Sequence, residues 1–244
     1  MTGPGVRRVL VTGGGSGIGR AIARAFAGAG DAVTICGRRM DALEETAQGF
    51  TMTLRQADVT DEAQVAALFD QPYDVVVANA GGGPAAKLRN TSLEQWNGTL
   101  AVTLTGTFLT FRAALDGMGQ GGRLIAIAST ASLKGGANIA AYASAKHGVL
   151  GLVRSVAQEV AKQGITCNAI CPGFVDTPLA QGAIEGLMEK KGLDRAKAEA
   201  MVAGGNPVGG LIRPDEVASA ALYLASPEAR MINGHALSLS GGEI

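Results

Sequence analysis

The sequence predicts an α/β domain built on parallel strands, and three observations predict it. The apolar run Arg8 to Val11 (RVLV) stops at Thr12 and a cluster of glycines, after which IGRAIARAFAGAG carries apolar residues at helical spacing. Strand, glycine turn and helix in that order form the entry to a βαβ unit. Asp74 to Ala78 (DVVVA) is an unbroken apolar run, the pattern of a central parallel strand buried on both faces. The 244 residues suit one large α/β domain, 1–244, with ample length for a core.

The glycine turn reads TGGGSGIG, Thr12 to Gly19. Gly13, Gly17 and Gly19 let the chain turn sharply and bring backbone N–H groups and a helix N-terminus up to a pyrophosphate. The spacing is GxxxGxG, not the GxGxxG of the commoner dinucleotide fold. A second strand, AVTIC, runs into Gly37, Arg38 and Arg39. At this strand tip an acidic residue would hydrogen-bond the 2′-hydroxyl of an adenosine ribose. Two arginines can instead hold a 2′-phosphate with paired donors, which favours NADP(H) over NAD(H). An ordinary solvated basic turn before the helix MDALEETAQ fits the same residues. The third strand, TLRQADV, is expected to end at Asp58, with Thr60 or Asp61 capping the helix DEAQVAALF.

DVVVA leads into Asn79-Ala80-Gly81-Gly82. Ser92-Leu93-Glu94-Gln95 then matches a capping box and opens a long helix through Trp96 to Ala114. RLIAIAS, from Arg123, is the next buried strand and delivers Ser129 at its C-terminal end, where ligands of open α/β sheets gather.

A helix from Ala141 places Tyr142 and Lys146 on one face, since residues four apart are neighbours. An unperturbed phenol titrates near ~10, and a nearby ammonium favours its phenolate form. Lys146 is therefore expected to lower the pKa of Tyr142. So tuned, Tyr142 exchanges a proton with an alcohol or alkoxide oxygen while the Ser129 hydroxyl hydrogen-bonds the same atom. A surface Tyr/Lys pair on an amphipathic helix has the same spacing, so the partner motifs decide between the two.

Beyond the strand ITCNAI and the stretch Cys171 to Pro178, residues 176–213 lose strand character and become a polar helical excursion. An insertion after a strand whose end faces a site reads as a substrate lid, or as a packing or subunit-contact arm. Pro214-Asp215-Glu216 begins a further helix, and HALSLSGG closes as the last strand.

Lys plus Arg equals Asp plus Glu at 21 each, so no net field draws nucleic acid or an anionic membrane. No uninterrupted apolar run approaches the roughly 20 residues that span a bilayer, and the apolar stretch before the first glycines is too short for a signal-peptide core. The expectation is a soluble cytoplasmic protein. Cys167 and Cys171 share one strand, about 13 Å apart and beyond disulfide reach, which reads as core packing. His147 and His235 lie far from them in sequence, so no metal-ligand spacing recurs.

Taken in order, Thr12 to Gly19, Asp58, Asn79-Ala80-Gly81, Ser129, Tyr142-x-x-x-Lys146 and Pro172-Gly173 resemble the short-chain dehydrogenase/reductase family over essentially the whole chain. The resemblance implies a Rossmann-type, doubly wound domain with a seven-stranded parallel sheet, assembled as a homotetramer. It implies an NAD(P)-dependent oxidoreductase that interconverts a secondary alcohol and a ketone, with 3-oxoacyl or 3-hydroxyacyl compounds the commonest guess for the substrate. It assigns Tyr142 as acid/base, Ser129 as polariser of the substrate oxygen, and Lys146 as ribose anchor and phenol tuner. By the same match Thr12, Gly13, Ser16, Gly17, Ile18 and Gly19 form the phosphate turn, and Asp58 and Val59 lie near the adenine. Asn79, Ala80 and Gly81 support the cofactor cleft, and Pro172, Gly173, Val175 and Thr177 line the nicotinamide side.

Three positions depart from the family pattern. Thr103, in Val102 to Phe108, stands where the family has a catalytic asparagine, so the proton relay is altered. Ala126 replaces a frequent asparagine and Ser240 the usual aspartate; both read as structural. The rival to an active enzyme is a dinucleotide-binding sensor or scaffold that has lost turnover, which Thr103 supports and the intact Ser129, Tyr142 and Lys146 oppose. A dehydratase or epimerase of the extended relatives is disfavoured for want of a large C-terminal substrate domain.

Overall fold

The computed structural model describes residues 5–244; the first four residues of the N-terminal stretch lie outside them. Seven strands form one parallel sheet: β1 Arg8–Thr12, β2 Ala32–Gly37, β3 Met52–Gln56, β4 Val75–Ala78, β5 Arg123–Ile127, β6 Thr166–Pro172 and β7 Ala236–Leu239. Their order across the sheet is β3-β2-β1-β4-β5-β6-β7. The chain winds outward from β1 in one direction, returns to β4 beside β1 (Val9 opposite Val75), and winds outward in the other. That reversal puts a crevice at the C-terminal ends of β1 and β4, where doubly wound sheets bind ligands.

The unbroken apolar strands follow from this winding, because helices cover both faces. In β4, Val75 and Val77 face one core with Ile22 and Phe26 of α1 (Gly17–Gly28). Val76 and Ala78 face the other, with Val149 and Val153 of α6 (Ala140–Val160). On the first face α1 packs against α9 (Pro214–Leu224).

Several boundaries differ from the sequence reading. β3 stops at Gln56, short of Asp58, because the Asp58 carboxylate accepts hydrogen bonds from the N–H (2.9 Å) and hydroxyl (2.8 Å) of Thr60. That local turn takes the chain off the sheet edge. Of the two candidate caps Asp61 is the one used, accepting from the Gln64 N–H ahead of α3 (Glu62–Ala66). The Ser92/Gln95 capping box is present at the start of α4 (Leu93–Leu100). The expected long helix is not uniform: Ala101–Thr105 form a π-helical turn before α5 (Gly106–Leu115).

Leu93–Leu115 is long and apolar enough, by length and composition alone, to cross a membrane, with 44% of that window buried inside the molecule. Its Leu109 shares a core with Val59 and Val65, and its Phe111 and Ala114 belong to the core that holds Leu124 and Val149.

The excursion after β6 folds as α7 (Pro178–Lys191) and α8 (Arg195–Val202), which share a small core of Ile184, Ala198 and Val202. Its two ends are tied together by a bridge between Val175 and Ile212. The excursion is therefore anchored at its base and packed on itself.

Candidate active site

The crevice between β1 and β4 is a cradle made of backbone. Gly13 (φ 64°) and Gly17 (φ 51°) occupy the left-handed region that side chains disfavour. At Gly19 the need is space, since a Cβ there would stand 2.3 Å from the Gly13 carbonyl oxygen. Asn79, just past β4, holds the turn from the side: its Nδ2 donates to the carbonyls of Thr12 (3.0 Å) and Gly13 (3.2 Å). The Thr12 hydroxyl returns the tie by accepting the N–H groups of Asn79 (3.0 Å) and Ala80 (3.2 Å). Exposed Ser16 is the N-cap of α1 and makes no side-chain cap bond, and Ile18 is half-buried behind it. Thr177 closes the cradle opposite, its methyl 3.1 Å from where a Gly17 Cβ would lie.

This cradle fits a dinucleotide: glycines that any Cβ would fill, next to the N-terminus of a twelve-residue helix. Arg38 and Arg39 follow β2, both exposed, and neither forms an ion pair among the described residues. Asp58 is half-buried just past β3, whereas the Val59 side chain turns into the core against Val65, Leu109 and the face of Gly106. Only the backbone of Val59 is left to meet a ligand.

On the other side of the crevice the groups are side chains. Ser129 ends the chain's run off β5 and caps a 3₁₀ turn, its Oγ accepting the Ala131 N–H at 3.1 Å. α6 begins at Ala140, one residue earlier than expected, and carries Tyr142 and Lys146 one turn apart, with Nζ 5.7 Å from the phenol ring centroid. Lys146 is buried and reaches back across to β5, donating to the Ile127 carbonyl at 2.6 Å.

Burial pushes the Lys146 ammonium down to about 8, against the opposing pull of the Cys171 thiol. Burial also raises the Tyr142 phenol above its ordinary value, the Ser129 hydroxyl working against that rise. The expectation that Lys146 lowers the phenol's pKa is thus corrected. The ammonium is turned to a carbonyl, and loss of water around the phenol outweighs its influence. At neutral pH Tyr142 is a proton donor.

Thr103 lies in the π-helical turn, buried. Its hydroxyl accepts the Gly82 N–H at 3.2 Å and donates to the Gly82 carbonyl at 3.4 Å. A Cβ on Gly81 would lie 3.4 Å from Thr103 Oγ1 and 3.5 Å from Lys146 Nζ, so Gly81 sits between the two groups. π-turns recur at functional sites because the extra residue re-aims a side chain. Of the other departures, Ala126 is buried in the core of β5, and the Ser240 hydroxyl pairs with that of Ser238 at 2.9 Å.

At the end of β6, Pro172 closes the strand, the Gly173 N–H donates to the Leu239 carbonyl at 3.0 Å, and the Thr177 hydroxyl donates to Val175. Sequence reasoning passed over Cys171 as a neighbour of the site, although its thiol, raised by burial to about 11, lies beside Ser129 and Lys146. It also passed over Lys134 and Glu243, which pair at 2.8 Å. A strand of small apolar residues gives no hint of the first, and partners so far apart in the sequence give none of the second. Among the described residues no group of three His, Cys, Asp or Glu side chains is placed to hold a metal ion.

A doubly wound sheet with a phosphate cradle on one side of its switch point, and a hydroxyl, a phenol and an ammonium on the other, defines a nicotinamide-dependent oxidoreductase of alcohols and carbonyls. A family model described as "Enoyl-(Acyl carrier protein) reductase" matches residues 13–243. The chain belongs to the short-chain dehydrogenase/reductase family. It is 36% identical over 251 residues to a D-beta-hydroxybutyrate dehydrogenase of Cupriavidus necator, covering 97% of each chain. It is also 36% identical to a putative ketoacyl reductase of Streptomyces coelicolor, covering 96% of this chain and 95% of the relative. The structure superposes on a single-substitution variant of actinorhodin polyketide ketoreductase crystallised with NADPH, with a TM-score of 0.92, 33% identity, and coverage of 98% and 97%.

Proposed function

We propose that the chain is a single NADP(H)-preferring ketoreductase domain, 1–244, that works on 3-oxoacyl or 3-hydroxyacyl compounds, with NAD(H) the less favoured cofactor. The observation that carries the reading is the buried Lys146, bonded to Ile127 beside the phenol of Tyr142, at the mouth of the glycine cradle.

In the reading, the backbone of Gly13 to Gly19 and the N-terminus of α1 hold the pyrophosphate, and Arg38, with Arg39, holds a 2′-phosphate. Asp58 and Val59 flank the adenine, Asn79, Ala80 and Gly81 support the cleft, and Pro172, Gly173, Val175 and Thr177 line its nicotinamide side. The bound cofactor supplies or takes up the hydride. Ser129 donates a hydrogen bond to the substrate oxygen, and Tyr142 gives that oxygen its proton as a ketone becomes an alcohol. Lys146 anchors the ribose and replenishes the phenol, and Thr103 holds the altered relay beside Gly81. Residues 176–213 act as the substrate lid, which their tied base and separate core support.

Leu93 and Phe108, exposed on α4 and α5, support a homotetramer in which these helices pack against another subunit. Three buried free cysteines suit a reducing, cytoplasmic setting.

A panel of ketones, alcohols and acyl thioesters, followed with both cofactors at the absorbance of the reduced nicotinamide, tests the reading. Turnover with NADPH ahead of NADH is expected. One observation favours the sensor alternative: the Thr103 hydroxyl is occupied by the Gly82 peptide. Dinucleotide binding without turnover on the whole panel, restored by Thr103→Asn, would establish that alternative.

A further inference from the structure

The segment that joins Ser129 to Tyr142 is held at its two ends and at one point between them. At the first end the N–H groups of Leu133 and Lys134 donate to the Thr130 carbonyl as the chain leaves the 3₁₀ turn. At the other, Tyr142 is the third residue of α6. Residues 135–138, Gly-Gly-Ala-Asn, lie between and are exposed. Among the described residues these four make one hydrogen bond, in which the Asn138 carbonyl accepts the Ala86 N–H at 2.8 Å. Asn138 is also the one non-glycine residue among those described with a positive φ, 65°. Asparagine tolerates this left-handed backbone better than most side chains, and β-branched residues tolerate it least.

That backbone aims the chain into α6. The helix has no side-chain cap: its N-cap is Ile139, and the Ala143 N–H donates to the Ile139 carbonyl at 2.7 Å. Its first turn, Ala140-Ala141-Tyr142-Ala143, has only alanines around the phenol, and so small a side chain brings little packing to fix a direction. One turn further on, Lys146 is bonded to Ile127, and Val149, Leu150 and Val153 are set in the core. The body of the helix is therefore fixed, while the phenol leaves from the end that frays. Ala86, on the loop that leaves β4 through Gly81 and Gly82, supplies the one bond that steadies the entry to that end.

We infer that Asn138 is the positioning residue of the proton donor: its left-handed backbone, tied to Ala86, sets the first turn of α6 and with it the reach of the Tyr142 phenol. The role belongs to the backbone, so a residue at ease with this φ can fill it. The inference rests on the ketoreductase reading above, in which Tyr142 gives the proton. Its test compares Asn138→Gly, which suits the conformation, with Asn138→Ala and Asn138→Val, which are strained by it in increasing degree. Each variant reduces S-acetoacetyl-N-acetylcysteamine, or the panel ketone that the wild type reduces fastest, with saturating NADPH in light and heavy water. NADPH affinity and melting temperature are measured on the same preparations.

Asn138→Gly is expected to keep the kcat of the wild type. Asn138→Val should lower it by about tenfold or more, the effect of a misplaced reacting group, with Asn138→Ala between the two. The Kd for NADPH should stay where it was, and the solvent deuterium effect on kcat should grow as proton delivery slows. A role in folding alone would lower the melting temperature and leave the kcat and isotope effect of the folded enzyme unmoved. Should Asn138→Val not fold, Asn138→Ala carries the same test. An unchanged kcat in the strained variants overturns the inference while leaving the ketoreductase reading intact. So does a loss in Asn138→Gly equal to theirs, a loss of NADPH binding, or a lower kcat without the larger isotope effect. No turnover by the wild type on any compound of the panel overturns the ketoreductase reading and this inference with it.

Discussion

The two sides of the crevice are built from different materials. The β1 side is mostly backbone: Gly13, Gly17 and Gly19, cross-tied by Asn79 and the Thr12 hydroxyl, with charged side chains around it, Arg20 donating to the Gly15 carbonyl at 2.8 Å and Arg38 and Arg39 at the far rim. The β5 side is side chain: Ser129, with the phenol of Tyr142 and the buried ammonium of Lys146, and burial moves the acidities of the last two. A site that grips phosphates needs fixed N–H groups and room, which glycines provide with no protonation chemistry. A site that moves a proton needs groups held out of water, so that a small change in partners moves a pKa across the working range. Damage to the first side should thus appear in binding, and damage to the second in turnover and pH dependence.

The sharpest way to break the division is at Gly19. An alanine there would press its Cβ on the Gly13 carbonyl, 2.3 Å away, and force the turn open. Gly19→Ala should abolish measurable NADPH binding by fluorescence titration and lower stability by about 1–3 kcal/mol. Unaltered NADPH affinity would show that the cradle is not made of this turn.

Arg38→Ala probes the rim. It should raise the Kd for NADPH about tenfold, the loss of a charge-assisted phosphate contact, and leave that for NADH where it was. If both cofactors bind as before, Arg39 or neither arginine holds the phosphate.

On the second side, the pH profile of kcat/KM for ketone reduction is the informative curve, since it reports the ionisations of the free enzyme. The phenol, raised by burial, keeps its proton throughout the neutral range, while Lys146 loses its own at about 8. A plateau below about pH 8 and a decline above it are expected. The stability effect has the opposite sense. Lys146 titrates lower in the folded chain than the ordinary value of 10.5, so between about 8 and 10.5 the unfolded chain binds the extra proton, and this group's contribution to stability rises with pH.

The smallest effect is expected at Thr103→Asn. The longer amide can both donate and accept in the π-turn beside Gly81. Turnover should stay level or rise by a few-fold, with a smaller solvent deuterium effect than in the wild type. A large fall in kcat would mean that the Gly82 contacts of the threonine hydroxyl hold the site together.

The same division explains what was legible in the amino-acid sequence. Glycines at a tight turn are demanded by backbone geometry, so GxxxGxG could be read directly, as could β4 from the unbroken DVVVA. Tyr142 and Lys146 were legible as neighbours, because helical spacing fixes where side chains start. Spacing does not fix where they end: Nζ finishes on the Ile127 carbonyl, which depends on the β5–α6 packing. The π-turn at Ala101–Thr105 left no mark, since one extra residue in a turn does not disturb an apolar pattern already buried on one side. The end of β3 was misplaced for a related reason: the Asp58 to Thr60 turn competes with the sheet through side-chain hydrogen bonds that a run of strand-forming residues does not reveal.

The central claim is that Tyr142 carries the proton on a side of the crevice that contributes nothing to gripping the phosphates. Measuring NADPH affinity and steady-state ketone reduction on one preparation of Tyr142→Phe tests it most directly. The account predicts a kcat lower by the roughly 10²- to 10⁴-fold typical of a lost general acid, with the Kd for NADPH unchanged. Unchanged turnover, or a loss of NADPH binding to match the loss of turnover, would contradict it.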